Sequence, residues 1–253
     1  MSQNIYDRQD FFEAYSKFID RSNEPVDDDL LWKRLRTLLP EDINGFDILD
    51  VGCGSGWFSR WAVTSGANSV LGLDISQNMI AKGRKASEAR PGDAGKLEYR
   101  IADLDILPIT LSDKAPYDLI FSSVAFHYLK NLEPLVKQLV EAMKPGALLV
   151  VNVEHPTYTA PKTPRVVEDK ETGQKSWNLS AYHEEGERVV DWLAPGLRKY
   201  HRTMTGYMDI FLGNGLSLVK FLEWLPTEEE LASGDIDDVE QYRPLFLMMS
   251  FRK

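Results

Sequence analysis

A chain of 253 residues with 43% hydrophobic and 27% charged side chains is long enough for one α/β domain with an elaborated lid, and polar enough to stay in solution. A net charge of −10, with no block of Lys or Arg, argues against nucleic acid or an anionic membrane surface as partner. Cys53 is the only cysteine, so no internal disulfide can form. The N-terminus lacks the basic and apolar regions of a signal peptide, and the longest apolar runs, near Ala147–Val151 and Leu245–Met249, are too short to span a bilayer. The cytoplasm is the expected compartment.

Phe11, Phe12, Tyr15, Phe18 and Ile19 recur at helical spacing and predict a helix over residues 8–20. Leu30, Leu31, Leu35, Leu38 and Leu39 predict a second, started by the acids Asp27–Asp29 and stopped by Pro40. The chain then changes character. Ile48, Leu49 and Val51 read as a buried strand that runs into Gly52-Cys53-Gly54-Ser55-Gly56, and an amphipathic helix carrying Trp57, Phe58, Trp61 and Ala62 follows. Glycines let a ligand come close to the backbone, and the helix start offers free N–H groups. Cys53 inside this turn reads as a small filler, since no base is adjacent in sequence.

The spacing selects among nucleotides. A dinucleotide fingerprint needs Gly or Ala at position 57, where Trp57 stands, and a P-loop needs a lysine that is missing. Asp50, just before the glycines, suits a cationic ligand and repels a pyrophosphate. A second strand, Ser69–Leu73, ends at Asp74, at the distance from the first glycine where a ribose diol is held. The residues ask for a ribonucleoside with positive charge and no pyrophosphate.

The run Asp50-Val51-Gly52-Cys53-Gly54-Ser55-Gly56, followed by Leu71-Gly72-Leu73-Asp74-Ile75-Ser76, resembles the class I S-adenosylmethionine-dependent methyltransferases, in their small-molecule, ubiquinone-biosynthesis-like branch. The resemblance is strong over 46–153, moderate over 154–253 and loose before residue 46. It implies a Rossmann-like, seven-stranded, mostly parallel sheet with helices on both faces and an antiparallel final strand pair. It also implies S-adenosylmethionine as cofactor. The cofactor set it carries over is Asp50, Gly52, Gly54, Gly56, Asp74, Ile75, Met79, Ala102, Asp103, Leu104 and Ser122, with Asp105 a rival for the adenine-binding acid. N-terminal helices close over the cofactor in this branch, which adds Tyr15 to the cofactor set and makes Tyr6, Tyr15 and Arg21 candidate cofactor or substrate contacts.

Beyond residue 46, strands alternate with helices, as in a parallel sheet. Strands are expected at 46–51, 69–73, 97–101, 117–122 and 147–153, and helices at 57–65, 76–89 and 132–143. Lys144-Pro145-Gly146 reads as the turn that stops the last of these helices. A helix over 203–213 and strands at 217–225 and 245–251 close the chain. The expected organisation is an N-terminal helical cap (1–45), a cofactor-binding core (46–153), a lid insertion (154–202) and a return to the core sheet (203–253). The acidic connection 226–243 reads as a solvated surface loop.

The lid carries Tyr158, Trp177, Tyr182, Trp192 and Tyr200, too aromatic for disorder; Tyr158, Tyr182, Trp192 and Tyr200 are the candidate substrate contacts. A small core of their own is the competing explanation. Glu184 and Glu185 suit a cationic amine or plain solvation. The sulfonium is already an activated methyl donor, so holding a nucleophile in line supplies most of the catalysis, on the order of 7–11 kcal/mol. An alcohol acceptor would still need a base, for which His155, His201 and then His127 are the candidates. No metal is expected: an oxygen-ligand cluster after the fourth strand is lacking, and His183-Glu184-Glu185-Gly186-Glu187 lacks the second histidine of a zinc motif.

The expected activity is methyl transfer to an oxygen or nitrogen of a small, aromatic or apolar metabolite, by a monomer or homodimer. Rivals are a protein or RNA acceptor, an S-adenosylmethionine-binding protein without methyl transfer and, remotely, an NAD-dependent oxidoreductase.

Overall fold

The computed structural model describes residues 2–18, 29–90, 92, 95–113, 115–234, 236 and 238–253. Ile19, Arg21, Asp27 and Asp28, named above, lie outside the described residues, as do Asp235 and Asp237 of the acidic connection. After a 3-10 turn at Ile5–Asp7 come α1 (Gln9–Phe18) and α2 (Leu30–Arg36). The alternating region follows as β1 (Asp47–Val51), α3 (Trp57–Thr64), β2 (Ser69–Asp74), α4 (Gln77–Glu88), β3 (Leu97–Ile101), β4 (Tyr117–Ser123), α5 (Leu132–Glu141) and β5 (Met143–Glu154). The insertion holds α6 (Pro156–Thr159), the hairpin of β6 (Val166–Glu168) and β7 (Lys175–Trp177), and the hairpin of β8 (Gly186–Trp192) and β9 (Ala194–His201). Then come α7 (Met204–Gly213), β10 (Ser217–Glu223), α8 (Glu228–Ser233) and β11 (Phe246–Arg252).

Seven strands form one sheet in the order β10-β11-β5-β4-β1-β2-β3. The strands β3, β2, β1, β4 and β5 pair in parallel; β11 runs against both its neighbours, β5 and β10. The seven-stranded, mostly parallel sheet with a reversed closing strand is thus the architecture of this chain. Two-residue periodicity divides the side chains between its faces. Leu149, Val151 and Val153 of β5, with Leu247, Met249 and Phe251 of β11, pack against α5 and α7 through Leu135, Leu139 and Phe211. On the other face Leu119, Phe121, Val150 and Met248 meet Trp32 of α2 and Phe58 of α3. Strands buried on both faces read as continuous apolar runs, which is how β4 and β5 read in the sequence.

Two expectations are corrected. Lys144-Pro145-Gly146 is not a free turn after a helix reaching residue 143. The helix ends at Glu141, and β5 already runs from Met143. Its pairing with β4 jumps from Tyr117–Met143 to Leu119–Leu148, so the extra residues bulge within the strand. Nor is the 226–243 connection merely solvated. Thr227 and Glu230 form a capping box on α8, Arg34 holds Glu230 at 2.6 Å, and Arg243 is 6% exposed in its pair with Glu240.

Phe58 stacks on Phe121 with ring centroids 3.7 Å apart and is fully buried below the glycine turn. Phe58→Ala should therefore lower the unfolding free energy by about 3–5 kcal/mol in urea denaturation. Leu218→Ala, on the exposed edge strand β10, should stay within about 0.5 kcal/mol of the parent. Equal effects would contradict this packing.

Candidate active site

The carboxyl ends of β1, β2, β4 and β5 open onto one cavity of about 850 Å³. Its floor is the turn after β1. Gly52 has φ +75°, and a Cβ there would lie 2.3 Å from that of Ala125, so only glycine lets this turn touch the segment after β4. Gly56, the left-handed N-cap of α3, is closed over by Tyr99, whose hydroxyl donates to its carbonyl at 3.3 Å. Val124, also on the wall, holds φ 58°, a strained conformation for a β-branched residue and one that clusters at functional sites.

Asp74 ends β2 on the cavity wall. Its two carboxylate oxygens accept the N–H groups of Gly54 at 2.8 Å and Ser76 at 2.9 Å. Each oxygen keeps a lone pair for a ribose hydroxyl. Burial raises its carboxyl above the usual range, with the backbone N–H bonds pulling against that rise and Asp7 adding to it. Ile75, Met79, Asp103 and Leu104 continue the wall beside it. Asp105 lines it too, but its carboxylate also accepts the N–H groups of Lys130 and Asn131. The set of exposed glycine backbone, one diol acceptor, apolar covers and further acids fits a cationic ribonucleoside and disfavours a pyrophosphate.

Other residues of the expected cofactor set stand behind the wall. Asp50 is 2% exposed and accepts the Ser59 hydroxyl at 2.6 Å. Burial pushes its carboxyl up to about 7, against the pull of Ser59 and with a further rise from Asp74. Ser122 donates to the Val51 carbonyl at 2.8 Å and so ties β4 to β1. The Ala102 N–H bonds the Asp74 carbonyl, extending the β2–β3 pairing. These residues shape the turn rather than face the cavity. Cys53 lines the turn as a buried thiol, pushed well above its ordinary pKa by burial.

The roof comes from sequence-distant parts. Asp7 accepts from the Ser76 hydroxyl at 2.6 Å and from the N–H groups of Gln77 and Asn78, so the N-terminal 3-10 turn is bolted to the start of α4. Tyr6, Tyr15 and Trp192 are then brought edge to face above the floor. Tyr128 and Tyr158 complete an aromatic chamber, and Glu154, the last residue of β5, lines it. Of the expected lid aromatics, Tyr158 and Trp192 reach the wall. Tyr182 instead accepts the Met204 N–H through its hydroxyl, Tyr200 donates to Glu187, and Trp177 donates to the Thr157 carbonyl. Glu185 accepts the Thr203 N–H and hydroxyl at the start of α7, while exposed Glu184 pairs with Lys162.

None of the three histidines expected as bases lines the cavity. His155 caps α6, accepting the Thr157 N–H, and its other nitrogen meets Glu223 at 2.8 Å. His201 bridges Thr159 and the Tyr182 carbonyl, both at 2.8 Å. His127 is fully buried, accepting the Glu154 N–H at 3.3 Å, and burial pushes it down to about 4. Each is used by the fold to satisfy backbone or side-chain groups. Asp7, Tyr128, Glu154 and Lys199 escaped the sequence reading. Only Glu154 carried a signal there, as an acid closing a parallel strand.

The Asp50 carboxyl titrates higher in the folded chain than in the unfolded one. The folded state therefore binds its proton more tightly, and this contribution to stability is lost as pH rises from the ordinary carboxylate range towards 7. Asp50→Asn lacks that loss. Its stability relative to the parent should rise by about 2–3 kcal/mol between about pH 5 and about pH 7.5 in urea denaturation. A pH-independent difference would contradict a raised Asp50.

Comparison with known proteins bears on this geometry. A family model described as a methyltransferase domain matches residues 49–151. The structure is similar to that of an S-adenosylmethionine-dependent methyltransferase from Mesorhizobium loti, with TM-score 0.80 and 37% identity, covering 90% of this chain and all of that one. A second from Listeria monocytogenes, solved as a putative member, gives TM-score 0.73 and 31% identity over 88% of this chain and 97% of its own. A malonyl-[acyl-carrier protein] O-methyltransferase of Enterobacter lignolyticus is 31% identical, but over only 40% of this chain and 36% of that protein. With its sheet order, glycine turn and Asp74 all in place, the chain belongs to the class I S-adenosylmethionine-dependent methyltransferases.

Proposed function

We propose that this methyltransferase acts on an oxygen or nitrogen atom of a small aromatic or apolar metabolite in the cytoplasm. One observation carries the reading: the nucleoside-binding floor and the aromatic chamber of Tyr6, Tyr15, Tyr128, Tyr158 and Trp192 are parts of one roofed cavity of about 850 Å³. That volume is within the range of sites that enclose small molecules. Among the described residues no helix is long and apolar enough to cross a membrane. The net charge of −10 weighs against an RNA acceptor.

Bound S-adenosylmethionine would supply an electrophilic methyl group to a lone pair of the acceptor, its sulfur keeping the electron pair of the bond that breaks. The protein's part is to bind, orient and exclude water. Asp74 would hold the ribose, Ile75 and Met79 would cover the base, Asp103 would meet its polar edge, and the roof aromatics would hold the acceptor in line. Orientation of this kind supplies on the order of 7–11 kcal/mol.

The test uses methyl-labelled S-adenosylmethionine with cell extract separated into small-metabolite, RNA and protein fractions. Label should enter the small-metabolite fraction, where mass spectrometry identifies the product. Label confined to RNA or protein would overturn the substrate class and make the roof a docking surface.

A further inference from the structure

The Glu154 carboxylate is buried, with its side chain 10% exposed, and the residue lines the aromatic chamber. One oxygen, Oε1, accepts the Lys199 ammonium at 2.5 Å. The other, Oε2, is shut off from solvent and has no hydrogen-bond partner among the described residues. A buried carboxylate oxygen left without a donor is costly, and a fold keeps one where something else supplies the donor. His127 does not: its Nδ1 accepts the Glu154 N–H, which leaves the ring proton on Nε2, and that nitrogen lies 3.9 Å from Oε1, too far to bond.

The surrounding charges decide what Oε2 can take. Glu154 is faced by Lys199 from β9, His127 and Tyr128 from the turn after β4, Tyr158 from α6 and Arg243 from the turn before β11. Burial alone would raise its carboxyl, but Lys199, by its charge and its hydrogen bond, and Arg243 outweigh it and hold the group below the usual range, so Glu154 stays ionised. Lys199 is committed to Glu154 and covered by the rings of Tyr158 at 5.3 Å and Trp192 at 5.8 Å. Arg243 is committed to Glu240 and lies over Tyr158 and Trp177. Neither cation is offered to a carboxylate substrate, and Arg198, which lines the cavity, is turned to Glu187 at 3.9 Å.

We propose that Glu154 Oε2 selects and orients the methyl acceptor by accepting a hydrogen bond from its O–H or N–H, so that the acceptor is an aromatic hydroxyl or amine and not a carboxylate. This rests on the methyltransferase reading of the cavity. As the new bond to the methyl carbon forms, the proton of that O–H or N–H passes to Oε2, and from there to water once product leaves. Glu154 therefore touches the acceptor, and Lys199 is a positioning residue that fixes Oε1 and keeps the group charged.

The test is binding to protein loaded with S-adenosylhomocysteine, read by calorimetry, with phenol, anisole and benzoate as probes. They share a ring, but only phenol donates a neutral hydrogen bond and only benzoate is an anion. The parent should bind phenol at least about tenfold more tightly than either of the others. In Glu154→Gln the preference should shrink to about threefold or less while S-adenosylhomocysteine affinity is unchanged, and the melting temperature should fall because buried Lys199 loses its counter-ion. Lys199→Met gives an independent reading: with its counter-ion gone, burial raises the Glu154 carboxyl, so the phenol preference becomes pH-dependent and fades on the acid side. Anisole or benzoate matching phenol, no phenol binding, or a preference that survives Glu154→Gln would overturn the assignment. A donor preference that holds while label enters only RNA or protein would defeat the small-metabolite reading and leave this one standing.

Discussion

The turn after β1 and the segment after β4 approach so closely that no side chain fits between them. Gly52 meets Ala125, and a Cβ would stand 2.3 Å from its neighbour. The contact sets the floor of the cavity, because it holds the carboxyl ends of two adjacent parallel strands at one level. In open α/β sheets that edge is where ligands bind. Everything else around the site braces it: Ser122 bonds back to Val51, Asp50 ties the strand end to α3 through Ser59, and Phe58 stacks on Phe121 below.

The roof is built by a different device. A carboxylate near the N-terminus, Asp7, satisfies the N–H groups that open α4, more than sixty residues away in sequence. Helix starts need such partners, so one short turn is pinned beside the nucleoside site and carries Tyr6 and Tyr15 with it. The β8–β9 hairpin delivers Trp192 from the other direction, and Lys199 links that hairpin to the end of β5 through Glu154. The cavity is thereby lined by parts that share few covalent neighbours.

The core was legible because its signals are local. Apolar runs mark strands buried on both faces, and Gly52, Gly54 and Asp74 combine turn chemistry with a fixed spacing. Residues braced by tertiary contacts were not. Asp50 and Ser122 sit in the right motif, but the fold turns them behind the wall. His127, His155 and His201 carry the right chemistry for a base, yet each is used to satisfy backbone or side-chain groups, a fact that no periodicity encodes. Glu154 and Lys199 lie 45 residues apart and meet only because the insertion folds back over β5. The bulge at Met143–Gly146 was hidden for the same reason: Pro and Gly mark a break in pairing equally well inside a strand and before one.

The central claim is that floor and roof form one binding site. Hydrogen exchange followed by mass spectrometry, with and without S-adenosylhomocysteine, tests it most directly. Ligand should slow exchange over residues 50–56 and 74–79, and also over the N-terminal turn, α1 and the β8–β9 hairpin. Protection confined to the glycine turn and the start of α4 would contradict the account, because the roof would then stand apart from the cofactor.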